Sequence, residues 1–556
     1  MNTRHYAFWP KGVDYHMPIP ATNLYYNAEV SAKRYPDKSF IIYYDYHVTF
    51  AQFLREAEAV AGFLTQSCGV KQGDRVIIDM QNSPQFVIAY YGILRAGAVV
   101  VPLNPMNRTA ELRHYVEDSG ARVAFVAQEV FAQMRPLLGA GLDHIIAVTY
   151  ADYVGAKPTV RVPDFVSAPR AVKPEPGVSL WHTAIEAGLS APPLRTGPDD
   201  LAVMPYTSGT TGLPKGCAHT NRNVMATVTG QRQWTRPSLE TRILVILPFF
   251  HVTAMQGAMN VPLMNASTIV ILPRWEARMA AHYIAHYRIN AFSAVPTAII
   301  DLLLLPDIDN YDFSSLRQVG GGGAAMPEAV AQKLQDKCGL GFLEGYGMTE
   351  TMAPTHLNPP DAMKKQCLGI PMFDVDARII DPLTLAELPQ GEVGEIIVSG
   401  PQIMQGYWQR PEANASAFIE RDGKRFLRTG DLGRMDEDGY YFMVDRLKRM
   451  INASGFKVWP AEVESILYGH PAVAEACIIS APDPHRGETV KALVVLKAGS
   501  AENVDDEAII EWSRNQMASY KAPRIVEFVE SLPKSATGKV AWRLLQDQEN
   551  ERSKKP

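Results

Sequence analysis

Short apolar runs alternate with amphipathic stretches over the first two-thirds of the chain, the pattern of an α/β fold. Residues 75–80, Arg-Val-Ile-Ile-Asp-Met, predict a strand. Ser83-Pro84 then offers an N-cap hydroxyl and a proline at the first helical position, predicting a helix to about Arg95 that Gly97 stops. Residues 98–103 predict the next buried strand. Thr109 is expected to cap a further helix with Glu111 and Leu112 in its first turn, and residues 121–126 predict a strand again. The alternation returns from Arg242 to Glu344, so two α/β halves with mostly parallel sheets are expected. Residues 155–200, rich in proline and charge, predict an irregular connection.

After about Asp374 the texture changes to short β-type segments with Gly and Asp-Gly turns, as in residues 391–400 and 436–444, predicting a hairpin-rich, barrel-like piece. Beyond Arg446 the pattern predicts a compact α+β tail. It has helices at 461–467 and 505–514 and strands near 473–479 and 491–496. The expected fold class is α/β: a large N-terminal domain of two α/β subdomains plus a β-barrel-like subdomain over 1–445, and a small α+β C-terminal domain over 446–556.

Composition narrows the function classes. A chain of 556 residues exceeds one hydrophobic core, and 47% hydrophobic with 20% charged residues excludes wholesale disorder. A net charge of −5 gives no electrostatic case for a nucleic-acid partner. The five cysteines are scattered without a CxxC pair, which points to reduced thiols and a cytoplasmic setting. Residues 1–10 lack a signal core, and the longest near-apolar stretch, 291–305, is too short to span a bilayer. Peripheral membrane contact and a homodimer stay open.

The densest chemistry lies at residues 206–216, Tyr-Thr-Ser-Gly-Thr-Thr-Gly-Leu-Pro-Lys-Gly. An apolar strand run, 201–204, leads in, and a helix is expected from about Asn223. Strand, glycine-rich hydroxyl loop and helix start together would make a phosphate cradle of close backbone N–H groups, hydroxyls and the Lys215 charge. The plain alternative is a surface turn. The loop is not a Walker P-loop, because only two residues separate Gly209 and Gly212, and Leu213-Pro214 precedes Lys215.

Later blocks each have a functional and a bland reading. Residues 319–327 place four glycines before a helix, either to admit a ring or acyl chain or for tight packing. Gly345-Tyr346-Gly347-Met348-Thr349-Glu350 suits base stacking plus phosphate and Mg²⁺, or a solvated helix cap. Asp431 between glycines can accept two ribose hydroxyls, or simply sit in a β-turn. Residues 445–450 place three cations where the texture changes, and Lys539 lies on a Gly-containing loop near the C-terminus.

Taken in order, these blocks resemble the core motifs of the adenylate-forming superfamily, which includes acyl-CoA synthetases, firefly-type luciferases and peptide-synthetase adenylation domains. The resemblance implies that Thr207, Ser208, Gly209, Thr210, Thr211 and Lys215 hold the β- and γ-phosphates of ATP. Gly322, Gly323 and Ala324 would line the adenine and acyl pocket, Tyr346 would stack on adenine, and Glu344, Gly345 and Gly347 would belong to the ATP/AMP site. Thr349 and Glu350 would meet the α-phosphate and Mg²⁺, and Asp431 and Arg446 the ribose. Lys448 would be the hinge of a mobile C-terminal domain, and Lys539 the lysine that reaches the carboxylate and α-phosphate. Ser454, Gly455 and Phe456 match the loop that lines the pantetheine tunnel for CoA. One departure is Thr220-Asn221, where many members carry Thr-His, and no role is carried to that position.

Residues 247–255, Leu-Pro-Phe-Phe-His-Val-Thr-Ala-Met, match the acyl-pocket motif, with His251 among the catalytic candidates and Phe250, Val252 and Met255 as pocket wall. Amino-acid adenylation domains carry an Asp here to pair the substrate ammonium, and this chain has none. The resemblance therefore implies an AMP-forming ligase of a medium- or long-chain fatty acid, using ATP, Mg²⁺ and CoA. The runners-up are an aryl or other apolar acid, and a stand-alone adenylation enzyme loading a carrier protein.

Overall fold

The structure is a computed structural model. It describes residues 3–207, 213–323, 326–453, 456–483, 487–497, 499, 504–535 and 539–552, and at 448, 452, 456 and 457 the backbone alone. The chain divides into two compact units. The larger is His5–Asp376 with Ser399–Phe418; the smaller takes Met1–Arg4, Ala377–Val398 and Ile419–Pro556.

The larger unit holds the two expected α/β halves. Among the described residues the first half is an eight-stranded sheet with Arg75–Asp79 and Val99–Leu103 at its centre, flanked by Val123–Ala127, His144–Val148 and Val178–Leu180 on one side. All of these pair in parallel; at the other edge Cys217–Thr220 is reversed, pairing antiparallel with both Leu201–Val203 and Gly406–Tyr407. The second half is a nine-stranded sheet whose middle, from Ser39–Tyr43 through Arg242–Val245 to Phe342–Tyr346, is parallel. Buried parallel strands need apolar residues on both faces, which is why these segments read as unbroken runs.

The local signals act as expected at Ser83, whose hydroxyl accepts the Phe86 N–H at 3.2 Å and opens the helix Pro84–Arg95. They fail at Thr109. That residue is the first of the helix Thr109–Ser119, and its hydroxyl donates to the Gln133 carbonyl at 2.9 Å. The cap comes instead from Glu111, which accepts the Arg108 N–H at 2.7 Å. The 155–200 connection is mostly irregular but contributes Val178–Leu180 and the helix Trp181–Glu186, with Trp181 buried.

In the smaller unit, one antiparallel sheet is built on the hairpin Lys424–Met435 with Tyr441–Arg446, turned at the predicted Asp-Gly. A second joins Val473–Asp483 and Gly487–Leu496 to Ile525–Phe528, with helices Pro460–Leu467 and Asp506–Gln516. Asp505 caps the latter by accepting the Ala508 N–H at 2.8 Å. The protein is thus mixed α/β with a large N-terminal and a small C-terminal part.

Among the described buried polar residues, Asp79 is held by the least. Asp79 ends its strand 1% exposed, and neither carboxyl oxygen has a hydrogen-bond partner among the described residues. Burial, and then the charge of Glu129, raises its pKa from 3.8 to about 8. The unfolded chain releases this proton near pH 3.8 and the folded one near 8, so the stability present below the first value is lost as pH climbs to the second. Asp79→Leu is expected to raise the thermal midpoint at pH 8 by several degrees, with a smaller gain at pH 5. Melting curves at the two pH values check this, and an equal effect at both would remove the titration argument.

Candidate active site

The segments flanking the 206–216 motif pair as an antiparallel hairpin, not as a strand-to-helix junction. Leu201–Val203 pairs with Cys217–Thr220, Tyr206 bridges Gly216, and the Thr207 N–H donates to the Lys215 carbonyl at 3.0 Å. The helix Asn221–Thr235 starts only after the second strand, capped by the Thr220 hydroxyl. The helix expected from about Asn223 is present and begins at Asn221, one strand beyond the loop. The helix N-terminus lies a strand away, so of the expected cradle of strand, loop and helix start, the helix start drops out. Ser208, Gly209, Thr210 and Thr211 lie outside the described residues. The base of the hairpin is held by Asp118, which is buried, accepts the Tyr206 hydroxyl at 2.8 Å and pairs with Arg410.

Thr349 and Glu350 stand in a single 3-10 turn, Thr349–Thr351, soon after the strand Phe342–Tyr346. The solvated-cap alternative does not hold, since Glu350 is 7% exposed. Its Oε1 accepts the Tyr407 hydroxyl at 2.8 Å. Lys215 Nζ sits 4.2 Å from the centroid of the same tyrosine ring, a cation–π distance. His219, wholly buried, joins its Nε2 to the Thr349 carbonyl at 2.8 Å. A carbonyl can only accept, so the imidazole carries its proton on Nε2. Burial lowers its pKa to about 4 and keeps it neutral. Tyr407 and His219 escaped the sequence reading; each is a lone polar residue whose partner is far off in the chain.

Among the described residues no three His, Cys, Asp or Glu side chains form a metal cage. A divalent cation at Glu350 would then rest on one carboxylate, phosphate oxygens and water, a ligand set that Mg²⁺ accepts. The residues fit the ion.

The glycines of 319–323 turn out to serve the sheet as well as any ligand. Gly322 ends the strand Gln318–Gly322 opposite Gly345, and a Cβ there would run into the Gly345 carbonyl oxygen. Gly323 is exposed beyond it, and Ala324 lies outside the described residues. Gly347 is equally constrained, because a Cβ would stand 2.9 Å from the Ala353 and Pro354 backbone. Tyr346 lies between, its ring 5.7 Å from that of His356. Glu344 points its buried carboxylate at the following loop, accepting the Gln366 N–H at 3.3 Å. Burial lifts its pKa to about 7, against the pull of the backbone amides of Met326, Gln366 and Cys367.

At the acyl motif, His251 caps the short helix Val252–Ala254, its Nδ1 accepting the Thr253 N–H at 3.3 Å. Val252 and Met255 are buried, Phe250 is half-buried, and Phe249 packs against Phe86 in the core. The next six residues, Met255–Asn260, form a π-helical turn. Two amides missed by the sequence reading are wholly buried there. Tyr91 donates to Asn260 Oδ1 at 2.7 Å, and Asn260 donates to Gln256 Oε1 at 3.1 Å.

The smaller unit gathers Asp431, Arg446 and Lys539. Asp431 is buried in Lys424–Met435 directly across from Arg446, with 3.1 Å between its Oδ1 and the Arg446 Nε. Lys539 feels both: burial and then Arg446 lower its pKa, while Asp431 raises it. Its carbonyl accepts the Ser535 N–H at 2.7 Å. Lys448 lies in the turn Leu447–Arg449, described by backbone alone, as is Phe456 in Phe456–Val458. Ser454 and Gly455 lie outside the described residues.

Comparison with known proteins gives this geometry its context. The AMP-binding enzyme family matches residues 28–408, and the AMP-binding enzyme C-terminal domain matches 462–539. A long-chain-fatty-acid–CoA ligase of Bacillus subtilis is 35% identical over 560 residues, covering 98% of both chains. A feruloyl-CoA synthase of an Amycolatopsis species is 35% identical over 497 residues, 89% of this chain and 92% of that one. The crystal structure of ATP-bound MatB from Rhodopseudomonas palustris superposes with a TM-score of 0.84 at 28% identity, covering 96% of this chain and all of the other. With its models matched over residues 28–408 and 462–539 and a ligase relative covered almost end to end, the chain belongs to the AMP-binding enzymes, as an adenylate-forming acid–CoA ligase.

Proposed function

We propose that the acid is a medium- or long-chain fatty acid, and that the residues divide the work as follows. The carboxylate attacks the α-phosphorus of ATP, an acyl–phosphate bond forms, and pyrophosphate leaves. The CoA thiol then attacks the acyl carbonyl, a thioester forms, and AMP leaves. Lys215 and the loop from Thr207 hold the departing phosphates, Tyr346 stacks on adenine, Asp431 and Arg446 hold the ribose, and Lys539 bridges the two anions of the first step. Mg²⁺, held by Glu350 and the phosphates, would offset phosphate charge. Lys448 at the 445/446 boundary would be the hinge that lets the C-terminal domain exchange Lys539 for the 454–456 loop before CoA attack.

The observation that carries the substrate class is the acyl motif. From Leu247 to Met264 there is no acidic or basic residue besides His251, and Val252 and Met255 are buried. An ammonium or a second carboxylate in that wall would be left unpaired at considerable cost. The near full-length likeness to a ligase of long-chain fatty acids supports the same reading. The likeness to a feruloyl-CoA synthase keeps an aryl acid as the second reading, and the buried Gln256–Asn260 pair would suit its phenol. No described helix is long and apolar enough to cross a membrane. We place the enzyme in the cytoplasm, where ATP and CoA are supplied and the cysteines stay reduced.

Pyrophosphate release across saturated acids of increasing length, ferulate, benzoate and amino acids is the deciding test, run with CoA and with a holo-carrier protein as acceptor. The largest kcat/KM is expected for a saturated acid of eight or more carbons with CoA. A tenfold preference for ferulate would establish the second reading, and transfer only to the carrier would displace CoA.

A further inference from the structure

Tyr407 meets three separate parts of the site, although it lies outside every motif that marked the site in the sequence. Its backbone belongs to the phosphate hairpin: Gly406–Tyr407 pairs with Cys217 and Ala218, and the neighbouring N–H of Trp408 donates to the Gly216 carbonyl at 2.8 Å. Its hydroxyl donates to Glu350 Oε1 at 2.8 Å. Its ring face lies under Lys215 Nζ at 4.2 Å. Asn414 fixes the residue further, accepting the Tyr407 N–H at 2.7 Å and donating to its carbonyl at 3.0 Å. The segment is also pinned to the Glu350 turn, since the Met404 N–H donates to the Glu350 carbonyl at 2.9 Å.

A phenol is well suited to stand between opposite charges. Its O–H stabilises a carboxylate as donor, and its negative ring face attracts an ammonium. A carboxylate held in this way keeps one orientation, and a lysine held over the ring keeps its reach toward the loop. We propose that Tyr407 is a positioning residue coupling the cation-binding carboxylate Glu350 to the phosphate-binding Lys215, so that metal and nucleotide phosphates are bound as one unit. This rests on the roles given above to Glu350 and Lys215. The carbonyl of Thr349, tied to His219 of the same hairpin, gives the turn a second attachment that does not involve the phenol.

The two halves of Tyr407 separate by mutation. Tyr407→Phe removes the hydroxyl and keeps the ring; Tyr407→Leu removes both. The readouts are calorimetric binding of ATP with Mg²⁺ and with EDTA, and the Mg²⁺ concentration for half-maximal adenylation. Tyr407→Phe is expected to raise that concentration about tenfold, the worth of one hydrogen bond to a charged group. ATP binding in EDTA should stay within about twofold, since the ring under Lys215 remains. The rise in half-saturating Mg²⁺ should exceed any fall in kcat at saturating Mg²⁺. Tyr407→Leu is expected to weaken ATP binding in EDTA as well, about threefold or more. If the leucine variant does not fold, the phenylalanine variant decides alone. Glu350→Gln serves as the reference. A shift in Mg²⁺ dependence there but not in Tyr407→Phe overturns the coupling and leaves the assignment of Glu350 intact. No shift in Glu350→Gln overturns that assignment and the coupling with it.

Discussion

Lys539→Ala is expected to cut adenylate formation by at least about a hundredfold, the usual cost of losing one group that stabilises developing charge. Thioester formation from supplied acyl adenylate and CoA should change less than about threefold, because no anion then attacks a phosphate. The first half-reaction brings a carboxylate against the α-phosphate, and a cation between them both lowers repulsion and fixes approach. The surroundings of Lys539 suit the role proposed for it. Burial, then the guanidinium of Arg446, depresses its pKa, and Asp431 only partly compensates. A depressed pKa means a cation short of counter-charge, which two incoming anions would supply. The sign for pH follows: the ammonium is present below its lowered pKa, so adenylation by the free enzyme should fall as pH rises through a value below the ordinary 10.5 of lysine. Separate assays of the two half-reactions decide the matter, and equal loss in both would remove Lys539 from the first step.

What could be read in advance depended on how local the cause was. The helix Pro84–Arg95 was legible because Ser83 and Pro84 state its start within two residues. The parallel strands were legible because burial on both faces leaves unbroken apolar runs. The strand Cys217–Thr220 was not, since four residues including His219 and Thr220 carry no period, and pairing with Leu201–Val203 decides them. Thr109 misled because Ser and Thr favour the cap position in general, yet Gln133, 24 residues away, claims its hydroxyl. The same distance hid half of the site. Motif order pointed to Lys215 and Glu350, whereas Tyr407 acts on Glu350 across 57 positions and His219 on Thr349 across 130. Residues that touch a ligand recur as local motifs; residues that hold them in place announce themselves only once the chain is folded.

The wholly or nearly buried histidines set the second large effect, a sharp loss of the fold below about pH 6. Burial lowers the pKa of His5 and of His219 to about 4, and burial with the nearby His5 charge lowers that of His356 to about 3. For a depressed pKa the stability is whole above the unfolded value of 6.5 and is lost as pH falls toward the folded value. Fully protonated, each imidazole then contributes on the order of 3 to 5 kcal/mol of destabilisation, and three together approach the whole stability of an ordinary domain. Local structure sharpens the effect. His219 Nδ1 and His5 Nε2 have no hydrogen-bond partner among the described residues, so a proton added there would be buried uncompensated. His356 feels the charge of His5 and lies beside the Tyr346 ring, so acid should loosen the surroundings of Tyr346, proposed above to stack on adenine, before the rest of the unit. Tryptophan fluorescence and nucleotide binding followed from pH 7 to pH 4 should show binding lost first. His219→Gln, whose amide can reach the Thr349 carbonyl without titrating, paired with His356→Asn, should move the acid midpoint down by half a unit or more. A midpoint that stays where it was in the double variant would assign acid lability to the carboxylates instead.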